Sequence, residues 1–373
     1  MILKSIGLMS GTSMDGIDAV LMETDGGSII RSKMTASLSY SSEFKLQMRQ
    51  AEFETKQAKK NVASSEIIKK STELHAQIVK DLLKKANLQA QDIDVIGYHG
   101  QSLYHAPKDG ITVQIGDGQL LSNLTNITVV NDFRSEDVRN GGQGAPLAPL
   151  YHQALAIKDS YFPVAIVNCG GISNISIING PNEAQVTGFD TGPGNVLIDR
   201  YIRNKTSNKE FMDFNGKYGQ KGSVNQEVLN KMIAIIQPFL DKDPPKSLDP
   251  NEFYLIEDFA DLSIYDACAT LEALTVKCIV DSVRGEIPTK WILAGGGWNN
   301  PVIMKLLKQD LVKRNHLVDI KLASEIGWDN VYMEAEIFAY LAVRSLYKLP
   351  ITLAKVTGAL TAALGGKIYF CQN

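Results

Sequence analysis

Cysteine is scarce in this chain. Four residues in 373, at positions 169, 268, 278 and 371, form no CxxC pair and no Cys/His spacing suited to a metal. That excludes a disulfide framework and a zinc module. The thiols are expected to be small buried side chains in a reducing, cytoplasmic setting. An excess of one charge is also missing. With 38 basic and 41 acidic residues the net charge is −3, which argues against nucleic acid, because binding a phosphate backbone needs a basic surface. No apolar run is long enough to span a membrane. The N-terminal MILKSIGLMSG reaches its first glycine too soon for a secretory leader. What remains, 44% hydrophobic and 21% charged residues, is ordinary globular composition. A length of 373 residues exceeds one ordinary core, so two domains are expected.

The stretch Ile6–Val20 organises the reading. An apolar strand enters a turn of small polar residues, and a second apolar strand leaves it. Gly11, Thr12, Ser13, Met14, Asp15, Gly16, Ile17 and Asp18 form this turn and its exit. Glycine permits close approach to the main chain, and successive N–H groups in such a turn form a nest for an anion. Asp15 and Asp18 would reach phosphate only through Mg²⁺ or its waters. The stretch is not a P-loop, because Ile17-Asp18 and a strand follow where Lys-Ser/Thr and a helix are required. A decorated hairpin turn is the plainer alternative.

A third strand, Ser28–Leu38, completes a meander. Ser64-Ser65-Glu66 opens a helix with Ile67, Ser71, Leu74, Ile78 and Leu82 on one face. Asp94–Tyr98 reads as a short strand entering a loop at His99-Gly100-Gln101, and Ile127–Val130 as one ending in Asn131-Asp132-Phe133-Arg134. Open α/β sheets put ligand sites beyond strand ends of this kind. The Gly/Pro-dense segment 140–149, with Gln143, suits an ordered binding loop better than a Ser-rich tether. Val164–Ile178 then repeats the opening theme about 160 residues on, and a third strand follows it. Two similar α/β domains, each beginning with a meander, would explain length and pattern together. That third strand ends at Phe189-Asp190-Thr191-Gly192-Pro193-Gly194-Asn195. Residues 242–251 read as a Pro-rich surface loop. Ser263 is placed as a cap for a long helix, and Asn300-Pro301 as the start of another. Residues 331–347 read as a strong final helix.

Three Gly-rich turns therefore follow apolar strands directly: residues 11–16, residues 169–174 with Gly170, Gly171 and Asn174, and residues 295–300 with Gly295, Gly296 and Gly297. Each alone is a common turn. In this order they suit a nucleotide, with two turns flanking phosphates and a side-chain-free glycine run leaving room for a flat ring.

GTSMDGID, NCGGISNIS and AGGGWNNP resemble the two phosphate motifs and the adenosine motif of sugar kinases in the actin, hexokinase and Hsp70 group. GLMSGTSMDGID with GGQGAPLAP, GFDTGPGN and MEAEIFAYLA is similar to one family within it, the 1,6-anhydro-N-acetylmuramic acid kinases, from Ile6 to about Gly366. The resemblance implies an α/β fold of two actin/hexokinase-like (ribonuclease H-like) domains, each a mixed sheet with flanking helices, and an active site in the interdomain cleft. Residues 1–135 with about 348–373 would form domain I, and 136–347 domain II. It implies hydrolytic opening of the anhydro bridge and transfer of the ATP γ-phosphate to O6, giving N-acetylmuramic acid 6-phosphate, in peptidoglycan recycling by a cytoplasmic homodimer. Mg²⁺ would arrive with ATP, without a direct protein metal site.

Asp190 by itself reads as a turn or helix N-cap residue as readily as a base. The catalytic Asp of the family falls in this motif, which selects the base. Arg134 is a candidate for substrate oxygens or the lactyl carboxylate, against a plain surface pair with Asp132. His99 is a candidate for sugar hydroxyls, against a structural histidine. Gln143 is placed on the sugar side, and Glu334 either reaches the cleft or is a solvated helix carboxylate. Two rival functions stay open at this point: a plain sugar kinase of the same fold, and an ATP-driven assembly protein without a sugar product.

Overall fold

The computed structural model describes residues 1–27, 29–248 and 261–371. Ser28, the expected first residue of the third strand, and residues 249–251 of the expected Pro-rich loop lie outside the described residues. The chain divides into two compact units, Met1–Tyr161 with Tyr332–Asn373, and Phe162–Val331.

The first unit is built on β1 (Leu3–Ser10), β2 (Gly16–Thr24), β3 (Ile30–Ser39), β4 (Val95–Ala106), β5 (Ile111–Ile115), β6 (Val129–Asn131) and β12 (Lys367–Tyr369). Its sheet runs β12-β6-β4-β1-β2-β3, with β5 paired to the far half of β4. β1, β2 and β3 form the antiparallel meander, whereas β4 lies parallel to both β1 and β6. The second unit carries β7 (Val164–Cys169), β8 (Ile172–Ile178), β9 (Val186–Pro193), β10 (Lys290–Ala294) and β11 (Asp319–Leu322), in the order β11-β10-β7-β8-β9. Here too an antiparallel meander, β7 to β9, is followed outward by parallel β10 and β11. The recurring sequence theme is therefore a recurring topology. Each sheet has its own apolar core.

The helix Met333–Leu346 belongs to the first unit, not to the second domain that the sequence suggests. Its packing gives the reason. A Cβ on Gly7 of β1 would lie 1.9 Å from Ala335 O, and one on Gly97 of β4 would lie 2.0 Å from Phe338 O. These two strand positions let the helix backbone rest directly on the sheet. Ser5 Oγ then donates to Ala339 O at 2.8 Å. Residues 136–161 also join this unit.

Capping residues fall where the sequence places them. Ser64, Ser263 and Asn300 each accept a main-chain N–H at the start of the helices Ser65–Ala86, Ile264–Asp281 and Pro301–Arg314. Cys169, Cys268 and Cys278 are buried free thiols, and burial pushes the Cys169 thiol up to about 12. Among the described residues no helix is long and apolar enough to cross a membrane.

Candidate active site

The first turn, between β1 and β2, is held from beneath. Ser10 Oγ shares its one proton between Gln101 Oε1 at 2.6 Å and Gly16 O at 3.0 Å, and Gln101 Nε2 donates to Gly11 O at 3.1 Å. Met14 N–H closes the bend onto Gly11 O at 3.0 Å. The left-handed residue is Met14, with φ of 59°, and not a glycine. Its fully buried side chain anchors that unfavourable conformation in the core. Gly16 serves a different need, since its Cβ would lie 2.2 Å from Leu38 O of β3. The side chain of Ile17 is also buried, so Met14 and Ile17 offer only main chain to a ligand. Thr12, Ser13 and Asp15 are exposed, and a Cβ on Gly11 would meet only Ser13 Oγ, at 3.8 Å. Asp15 pairs with Lys45 at 3.1 Å, and Asp18 accepts from Ser37 Oγ at 2.6 Å.

His99, Arg134 and Gln143, the candidate sugar-side residues in β4 and beyond β6, form one connected group. His99 and Gln101 lie inside β4, which runs on to Ala106, and not in the loop expected after Tyr98. His99 Nδ1 meets Gly100 O at 2.9 Å, while Arg134 Nε and Nη2 approach His99 Nε2 at 3.2 and 3.1 Å. A carbonyl accepts and a guanidinium donates, so the imidazole is the neutral Nδ1–H tautomer. Burial, reinforced by the Arg134 charge, holds His99 well below the ordinary imidazole range. Arg134 Nη1 also donates to Gly144 O at 2.7 Å. Buried Asp137, which the sequence reading missed, accepts from Gly144 N at 2.7 Å and from Thr357 Oγ1 at 2.7 Å. Gln143 N donates to Thr357 O at 2.8 Å. The segment 140–149 is thus an ordered loop tied to Arg134. Asp132 does not pair with Arg134. It pairs with Lys367 at 2.8 Å, and although its burial works upward, the bonds from Lys367 and Ser135 bring it below the usual carboxylate value. Glu334 is exposed in the first turn of its helix.

In the second unit the turn after β7 and the motif around Asp190 form one assembly. Gly170 O accepts from Asn195 N at 2.8 Å and from Asn195 Nδ2 at 3.1 Å, and Gly171 O accepts from Gly194 N at 2.9 Å and Val196 N at 3.1 Å. Both carbonyls are thus engaged, and Gly170 N donates to Ile172 O at 3.3 Å. A Cβ on Gly171 would touch only Val196 Cβ, at 3.9 Å. Asp190 lies within β9, not at its end, and pairs with Asn174 of β8 beside a register shift at Ser173/Asn174. Directly opposed residues on neighbouring strands share a face, so Asn174 and Asp190 are brought side by side. Asp190 N donates to Lys246 O at 3.0 Å, and its Oδ2 accepts from Leu248 N at 2.9 Å.

The third turn follows β10. A Cβ on Gly295 would lie 2.4 Å from Asn168 Oδ1, and one on Gly297 would lie 2.4 Å from Cys169 Sγ, whereas Gly296 has nothing within 4 Å. Two of the three glycines serve packing against the end of β7. Only Gly296 has the free space that the sequence reading gave to all three. Trp298 Nε1 pins the turn to Ala294 O at 2.7 Å.

Behind that turn lies a buried carboxyl group that the sequence reading also missed. Glu272 Oε1 accepts from Asn300 Nδ2 at 2.5 Å, and Asn300 Oδ1 in turn caps Val302 N at 2.9 Å. Burial pushes Glu272 up to about 8; the Asn300 amide opposes this and the Asp213 charge adds to it. The sequence signal was a single carboxylate in the largely apolar run Ala267–Val280. Because the folded state holds this proton more tightly than the unfolded chain, the stabilisation is complete below the ordinary value of 4.5 and is lost as pH rises through about 8. Glu272→Gln keeps an oxygen for Asn300 and is neutral at every pH. Buried His75, His99, His105 and His152, held below the ordinary imidazole range by desolvation, make stability rise with pH up to about 6.5, so the Glu272 contribution is read as a difference: in urea unfolding, wild type should lose stability relative to Glu272→Gln as pH rises from about 5 to about 8. Parallel curves for the two proteins would refute the assignment.

A sequence profile described as anhydro-N-acetylmuramic acid kinase matches residues 3–371. The chain is 41% identical to the anhydro-N-acetylmuramic acid kinase of Zymomonas mobilis, over 98% of this chain and 99% of that protein. It is 39% identical to the protein of the same name in Methylobacterium nodulans, again over 98% and 99%. The corresponding protein of Rhizorhabdus wittichii is 39% identical over 97% of each chain.

Proposed function

Since the chain belongs to the anhydro-N-acetylmuramic acid kinase family, we propose a division of labour among its residues in that reaction. The protein is a phosphotransferase with an alcohol group as acceptor, acting in cell-wall recycling. The reaction as we read it has two coupled parts. Water attacks the anomeric carbon of anhydro-N-acetylmuramic acid, and the bond from that carbon to O6 breaks. O6 forms a bond to the γ-phosphorus of ATP as the bond to the β-phosphate oxygen breaks, and ADP leaves.

Asp190 takes the proton from the attacking water. Main-chain N–H groups of the turn at residues 11–16, other than that of Met14, and of Gly171 receive the phosphates, Gly170 shapes the second turn through its own bond to Ile172 O, Asn174 lies beside that turn, and Gly296 leaves space for the adenosine. Arg134, oriented by His99 and by the loop carrying Gln143, binds sugar oxygens, with Glu334 as a further contact. Mg²⁺ bound with ATP supplies charge neutralisation at the phosphates, and Asp15 or Asp18 would hold it, directly or through water. The rest is positioning by the chain. The open Cβ space at Gly296, and the positions of Gly11 and Gly171, where a Cβ would meet only one side-chain atom at ordinary contact distance, fit such a ligand. We place the protein in the cytoplasm as a homodimer, on the family resemblance.

The observation that supports this reading best is the pairing of Asn174 with Asp190 in the same assembly that braces Gly170 and Gly171. Product mass is the test. Incubation with ATP and anhydro-sugar should add one HPO₃ and one H₂O. Addition of HPO₃ alone would make it a plain sugar kinase, and ATP loss with unchanged sugar would make it an ATP-driven assembly protein.

A further inference from the structure

Two residues from the Leu248 amide that holds the Asp190 carboxylate stands a buried cation. Lys246 is 4% exposed. Among the described residues no carboxylate lies within ion-pair distance of it, and the nearby Asp241 and Asp243 are engaged by Arg284 at 3.8 and 2.9 Å. Burial and the Arg284 charge push the ammonium down to about 8. Keeping a lysine in such a place is costly, and three contacts offset the cost. Lys246 Nζ donates to Leu240 O at 3.0 Å, at the C-terminal end of the helix Gln226–Leu240, where the helix dipole favours a positive charge. It also lies 5.1 Å from the ring centre of Phe189 and 5.2 Å from that of Phe239, within cation–π range.

Phe189 immediately precedes Asp190 in β9. The ammonium thus ties three pieces of chain together: the end of a helix, the strand bearing the proposed base, and its own segment. That segment brackets Asp190 twice, since Lys246 O accepts the Asp190 N–H and Leu248 N–H donates to the carboxylate. The two bonds share a few residues of irregular chain, of which Leu248 also packs into the core.

We propose that Lys246 is a positioning residue for Asp190: its ammonium locks residues 246–248 so that the Leu248 N–H aims the carboxylate at the attacking water. This rests on the reading of Asp190 as the base. Lys246→Met keeps an apolar stem for the two rings and removes the ammonium.

The test measures kcat and KM for Lys246→Met and Lys246→Arg, and for Lys246→Met in an Asp190→Asn background. Lys246→Met should lower kcat by roughly 10–100-fold with both KM values within about threefold, the loss expected when a reacting group is displaced by about an ångström. Lys246→Arg, which keeps a cation over the rings, should recover part of the rate lost in Lys246→Met. In the Asp190→Asn background Lys246→Met should change the residual rate less than about twofold, because residues acting as a unit are not additive. Should Lys246→Met fail to fold, Lys246→Gln is measured against the same criteria. A folded variant with unchanged kcat, a rise in KM alone, or an equal loss in both backgrounds would overturn the proposal while leaving Asp190 as the base. Retained turnover in Asp190→Asn alone would overturn the base assignment itself.

Discussion

Asp190→Asn is expected to lower turnover of the anhydro-sugar by roughly 10³–10⁴-fold, the upper range for a lost general base, while both ligands still bind. The amide has nearly the shape of the carboxylate. Its oxygen still accepts from Leu248 N, and the main-chain bond to Lys246 O is untouched. What is lost is the capacity to take a proton near neutral pH. Both halves of the reaction should fail together, because O6 gains negative charge only as the anhydro bridge opens. Steady-state turnover with ATP, alongside calorimetric titration of each ligand, separates the outcomes. Turnover within a few fold of wild type would remove Asp190 from the mechanism. Asp132 would not replace it, since it is committed to Lys367. Loss of sugar binding as well would make Asp190 a binding residue in part.

The fold was legible where local chemistry and tertiary structure agree. Strand–turn–strand hydrophobicity gave both meanders, and Ser64, Ser263 and Asn300 marked helix starts because a cap is a local bond. The helix Ser42–Ala58 went unread: it buries only Phe44, Met48, Ala51 and Thr55, so its apolar stripe is thin. β11 and β12 are short and partly exposed, with little pattern to find. The placement of Met333–Leu346 depends on a glycine-lined approach to β1 and β4, a contact between segments far apart in the chain.

For the site, the glycine turns were visible but their reasons were mixed. Gly295 and Gly297 lack side chains because β7 lies against them, and Gly16 because β3 does. A sequence shows that a glycine is present, not which neighbour excludes a Cβ. His99 was placed in a loop because β4 carries polar residues past Tyr98; those residues are satisfied by Arg134, Gly11 and β5 partners, so the strand continues. Gln101, Lys246 and Glu272 act by bracing groups 90, 56 and 28 positions away, which leaves no local spacing to recognise, and Asp137 braces Gly144 inside an irregular loop with no periodicity to mark it.

Those packing differences make Gly171→Val the sharpest probe of nucleotide placement. Gly171 sits at the tip of the second turn with its carbonyl held by Gly194 N and Val196 N, and no positive φ is required of it. A Cβ there meets only Val196 Cβ at ordinary contact distance, so the folded state should tolerate the branched side chain. The phosphate should not. A valine at the tip adds branched volume to the turn where, on this reading, phosphate oxygens meet main-chain N–H groups, and those donors act by being fixed in advance of the reaction. The expected result is a loss in kcat/KM for ATP on the order of 10²-fold or more, with the thermal midpoint close to wild type and sugar binding retained. Gly297→Ala provides the contrast, because its Cβ would fall 2.4 Å from Cys169 Sγ. That substitution should lower the thermal midpoint and lose activity through the fold. If Gly171→Val instead melts early, the turn is a packing element like Gly297. If it folds and uses ATP normally, phosphate does not lie against this turn, and the assignment of Gly170 and Gly171 fails while that of Asp190 stands on its own test.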